Sequence, residues 1–104
     1  LLHASVLKAS SGNLVSKGFS AEEISALDRF LSDSVVVDQV ARLTGMPAED
    51  YRRLTLYGRT ALLAIALKKD SSRGWMQLMP VRLSEAQVKK LVAMGPKKFG
   101  VWSE

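Results

Sequence analysis

The sequence predicts an all-α protein of about five helices, with a short extended segment near residues 75–83. Three observations predict it. Apolar residues recur at helical spacing along most of the chain. Ser20-Ala21-Glu22-Glu23 and Ser84-Glu85-Ala86-Gln87 each have the capping-box pattern, in which a hydroxyl and a side chain three residues on satisfy free amides at a helix start. Gly18, Gly45 and Gly95-Pro96 fall where the apolar runs stop.

Leu2, Val6, Leu7, Leu14 and Val15 outline a first helix, weakened by Ser10-Ser11-Gly12 and stopped at Gly18. After the Ser20 cap, Ile24, Leu27, Phe30 and Leu31 form an apolar stripe. Ser32-Asp33-Ser34 ends that helix and caps the next. Val35-Val36-Val37 has strand propensity, but Val36, Val37, Val40, Ala41 and Leu43 fit a short buried helix better. Pro47 suits the first turn of another helix, where its missing amide has no partner to lose, and Ala48, Glu49 and Asp50 suit the same turn. From Tyr51 the pattern runs through Leu54, Tyr57, Ala61, Leu62 and Ile65, as one helix or as two divided near Gly58. Asp70 to Gly74 is a turn. Trp75 to Leu83 reads as extended, with Pro80 barring a central strand position. The Ser84 cap opens a helix with Val88, Leu91 and Val92 inward, and residues 95–104 form a basic tail.

A chain of 104 residues, 47% hydrophobic and 24% charged, is expected to be one globular domain over 1–104 rather than a disordered segment. It has no cysteine, which excludes disulfides and thiolate metal sites. The longest apolar stretch, Ala61 to Leu67, is far short of the ~20 residues that span a bilayer. No membrane partner is expected, and the expected location is cytoplasmic. Charge is polarised. Residues 1–51 carry four basic and seven acidic side chains, a balance of −3, whereas residues 52–104 carry eleven basic ones against Asp70, Glu85 and Glu104, a balance of +8. A basic face of this kind meets something anionic.

The run Val36 to Leu56 has a further pattern. Ala41 is small where two helices cross, Gly45 sits where the chain turns, and Val40, Met46, Tyr51 and Leu54 fall at buried positions. Over this fifth of the chain, residues 36–56, the sequence resembles the helix-turn-helix DNA-binding proteins at the level of the superfamily. The resemblance implies that the start of the second helix faces DNA. Here that start carries Glu49 and Asp50, which phosphates repel, followed by Arg52 and Arg53, whose planar forks suit guanine edges or phosphate. Alternatively, the two acids stabilise the helix start and Arg53 pairs with Glu49 one turn back.

Arg59, Lys68, Lys69, Arg73, Lys89, Lys90, Lys97 and Lys98 complete the candidate contacts, as partners of backbone phosphates. Trp75, Phe99 and Trp102 lie among these cations and either stack on bases or serve as core or dimer anchors. No catalytic residues, metal site or cofactor are expected. His3 is the only histidine, no serine has an activating partner, and no glycine-rich phosphate loop is present. The expected function is therefore a small non-enzymatic DNA-binding protein, a transcriptional regulator or mobile-element accessory factor. It would bind double-stranded DNA as a homodimer, with the Trp75–Met79 strip as a dimer contact. The competing reading is a protein–protein adaptor or small subunit of a bacterial assembly, each charged half meeting a complementary surface. RNA binding through the aromatic and basic tail ranks third.

Overall fold

Residues 12–100 are described by a computed structural model, and every regular element among them is helical. In chain order these are α1 (Gly12–Ser16), α2 (Ala21–Ser32), α3 (Ser34–Thr44), α4 (Ala48–Tyr51), α5 (Leu56–Lys69), α6 (Gly74–Gln77) and α7 (Glu85–Met94), followed by a 3-10 turn at Pro96–Phe99. Four of them are helices of ten residues or more; the other α-helices are single turns or little longer. The apolar positions Leu2, Val6 and Leu7, like Trp102, lie outside the described residues.

The axis of the fold is α5. Its sequence is apolar around its whole circumference, so it has no solvent face to present and must be enclosed. Residues 60–67 are all buried, and α1, α2, α3, α7 and the 3-10 turn pack around it. Leu27, Phe30 and Leu31 of α2, Val36, Val37 and Val40 of α3, and Leu91 of α7 fill the space against it. The one polar side chain of α5 that is fully buried, Thr60, donates its hydroxyl to the Leu56 carbonyl at 2.8 Å, so no partner is left in doubt.

The ends of the helices follow their local chemistry. Ser20 and Glu23 form a reciprocal box: Glu23 N–H donates to Ser20 Oγ (3.1 Å) and Ser20 N–H to Glu23 Oε1 (2.9 Å). Asp33 both ends α2 and caps α3, its carboxylate accepting from Val35 N–H. Gly45, at φ 76°, supplies the left-handed turn that closes α3.

Several expectations are corrected. The long pattern beginning at Tyr51 does break, but at Arg52–Thr55 rather than near Gly58. Thr55 adopts an extended conformation and its hydroxyl accepts from Gly58 N–H, which starts a new helix and leaves Gly58 buried inside α5. Pro47 stands one position before α4 rather than within it. Residues 75–83 are not extended: Gly74–Gln77 is a helical turn that carries Met76 inward, and irregular chain follows, with Met79 and Leu83 buried. The Ser84 box is half made. Ser84 Oγ caps Gln87 N–H, but the Gln87 carboxamide donates to the Glu23 carbonyl at 2.7 Å, tying α7 to α2 across 64 residues. Val92, expected inward, is 43% exposed, and Val15, part of the first apolar pattern, is 64% exposed. In the basic tail, Phe99 is buried and docks residues 96–99 onto α5.

Candidate nucleic-acid interface

Residues 36–56 run from α3 through a left-handed turn into the single turn of α4. Helix α3 ends where Gly45 and Met46 N–H both donate to the Ala41 carbonyl, and the chain reverses into α4. Only Ala48–Tyr51 is α-helical there. The chain then tightens into three-residue turns, with Arg53 N–H on Asp50 O and Leu54 N–H on Tyr51 O. Tyr51 drives this. Its ring is fully buried and its hydroxyl donates to the Leu31 carbonyl at 3.2 Å, so the turn is pinned against the end of α2. Burial also pushes the Tyr51 phenol well above its ordinary range. Arg52 and Arg53 project from this pinned turn, exposed and without an ion pair among the described residues, so Arg53 does not pair with Glu49.

Arg59 behaves differently. Its guanidinium lies over the Tyr51 ring, 5.4 Å from the centroid, and donates to the Arg52 carbonyl at 2.8 Å. Its Nε is buried without a partner. These contacts commit Arg59 to holding the α4–α5 junction, which removes it from the phosphate set.

The second group gathers at the other end of α5, some 20 Å away for a helix of fourteen residues. Lys68 and Lys69 are exposed in its last turn, Arg73 lies in the following turn, and Lys89 is on α7. Arg73 and Lys89 line a cleft of about 440 Å³ together with Arg82. Arg82 was not among the sequence candidates. It is exposed and lies in the run that reads as extended, and no spacing rule connects it to Lys89. Arg73 also lines an adjoining hollow with Lys68. Lys97 and Lys98 are exposed on the 3-10 turn.

Lys90 is engaged by the chain itself. Its ammonium pairs with Glu23 Oε1 at 2.9 Å, donates to the Gly18 carbonyl and sits 4.7 Å from the centre of the Phe19 ring. With these partners it joins α7 to the start of α2 and is not free for a phosphate. The amide of Ser20 and then Lys90 hold the Glu23 carboxyl below its ordinary value. Among the described residues this is the only ion pair.

The described aromatics pack rather than project. Phe99 is buried with its ring edge toward Tyr57 (5.7 Å, 61°), and half-buried Trp75 leans on Phe30 at 6.4 Å. Of the Trp75–Met79 strip, Met76 and Met79 face the core and Leu78 stands 82% exposed. His3 lies outside the described residues. Among the described residues no cluster of acidic or imidazole side chains is placed to hold a metal ion, and no helix is long and apolar enough to cross a membrane. Comparison with known proteins finds no family model, no curated protein and no solved structure that matches the chain.

Proposed function

We propose that this protein is a small, non-enzymatic binder of double-stranded DNA, acting as a transcriptional regulator or mobile-element accessory factor in the cytoplasm. In this reading Arg52 and Arg53, on the turn after α4, enter a groove, and Lys68, Lys69, Lys97 and Lys98 hold the backbone. The observation that carries it is the state of the cations. Arg52, Arg53, Lys68, Lys69, Arg73, Arg82, Lys89, Lys97 and Lys98 make no ion pair among the described residues, and only Asp70 and Glu85 are acidic in that half up to residue 100. A surface so weighted repels itself and gains by meeting a polyanion, through release of the counterions that DNA carries. Because α4 offers a single turn, the contact of one copy is small, and a homodimer on paired half-sites supplies the rest.

The test is the double variant Arg52→Ala/Arg53→Ala. Both side chains are exposed, so thermal stability stays as in the parent, while affinity for a selected duplex site falls by about tenfold or more, the loss expected for an arginine–guanine contact. Unchanged affinity overturns this placement.

A second reading, the adaptor or small subunit of a bacterial assembly, is favoured by a different observation. Leu78 is 82% exposed, and Val15, Phe19, Ile24 and Leu56 line a separate open groove. Under that reading the same double variant keeps its partner.

A further inference from the structure

The cleft between residues 72–83 and α7 has features that a duplex does not use. Its volume, about 440 Å³, is that of a small-molecule site. The floor is apolar, from buried Met76 and Leu83 and half-buried Val88. The rim is cationic. Arg82 donates from Nε to the Met79 carbonyl at 3.3 Å, and its terminal amino groups have no partner among the described residues. Lys89 stands on the α7 side of the same cleft.

Arg73 adds an independent observation. It is the one non-glycine residue with positive φ among those described (φ 51°, ψ 23°), a conformation that costs an L side chain about 1–2 kcal/mol. Asp70 Oδ1 enforces it, accepting from Ser72 N–H (3.2 Å), Ser72 Oγ–H (2.6 Å) and Arg73 N–H (3.2 Å). Glycine would sit here freely, and glycine occupies the very next position, Gly74. An arginine kept in a strained position at the mouth of a cationic cleft points to a use for its side chain.

We propose that this cleft binds a phosphomonoester of nucleotide size. Arg73 and Arg82 grip the phosphate with their forks, Lys89 adds charge, the apolar floor takes the ring, and Glu85 on the rim accepts a hydrogen bond from a ligand hydroxyl. The site stands apart from the DNA contacts at Arg52 and Arg53, and it does not depend on that reading.

The test is calorimetric titration of the full chain with adenosine 5′-monophosphate and, separately, with adenosine. The nucleotide binds at least about tenfold more tightly than the nucleoside, because only it carries the phosphate. Arg82→Ala and Arg73→Gly each lower nucleotide affinity by a similar factor, while Arg73→Gly does not lower the melting temperature, since it relieves the left-handed strain. Equal affinity for nucleotide and nucleoside overturns the proposal, as does nucleotide binding that survives Arg82→Ala. If the nucleotide does not bind and both variants weaken duplex binding instead, the cleft is a DNA-backbone contact and the proposal fails.

Discussion

The two ends of α5 make an instructive pair. Each gathers arginines beside a turn, and by composition the two are alike. At the N-terminal end Arg59 stacks on Tyr51 and donates to the Arg52 carbonyl, so one cation builds the turn from which Arg52 and Arg53 project. At the C-terminal end Arg73, Arg82 and Lys89 surround a hollow and leave charged nitrogens unused by the chain. The difference teaches that a basic residue becomes a candidate contact through what its donors lack within the fold. Proximity in sequence to other cations does not decide it.

The contrast can be broken most severely at Tyr51. Tyr51→Ala empties a fully buried position and removes the platform under Arg59, so it costs about 3–5 kcal/mol in urea unfolding, in line with other aromatic truncations. A loss below about 1 kcal/mol would mean the turn is held by something else. Arg59→Met keeps the aliphatic bulk but removes the charge. It costs about 1–2 kcal/mol, the sum of a cation–π contact and a hydrogen bond, and any loss of duplex affinity accompanies that loss of stability. A drop in affinity without a drop in stability would return Arg59 to the DNA contacts.

Smaller effects sharpen the account of Lys90. The Glu23 carboxyl is held below its ordinary value of 4.5, so its contribution is fully present above that pH and is lost as pH falls through the folded-state value. The urea midpoint therefore declines on acidification below about pH 4.5, and Glu23→Gln flattens that part of the decline. Smallest of all is Trp75→Phe. Trp75 Nε1 is buried without a partner, so removing it deletes a desolvated donor along with some packing, and stability changes by less than about 1 kcal/mol in thermal melts.

Much of the fold was legible because it rests on local rules. The Ser20–Glu23 box, the Asp33 cap, the Gly45 turn and the stripes of α2 and α3 depend on residues within one or two helical turns of each other. What was not legible is non-local. Gln87 has the right spacing for a capping box, yet its carboxamide reaches Glu23 across the fold. The anchoring of the Tyr51 ring to Leu31, twenty residues away, has no local signature, although the Thr55 cap that restarts the helix does. The candidate site suffered most. Lys90 and Arg59 read like any other cations until their partners Glu23, Phe19 and Tyr51 are seen in space, and Arg82 joins Arg73 and Lys89 only in the cleft that all three line.

The central claim, that Arg52, Arg53, Lys68, Lys69, Lys97 and Lys98 meet DNA, is tested most directly by fluorescence anisotropy of the chain with random-sequence duplex across a salt series. Binding that weakens steeply as salt rises, in a straight line on logarithmic axes, is the predicted result, because each phosphate contact releases a counterion. Absence of binding even at the lowest salt would contradict the account and leave a protein partner as the reading to pursue.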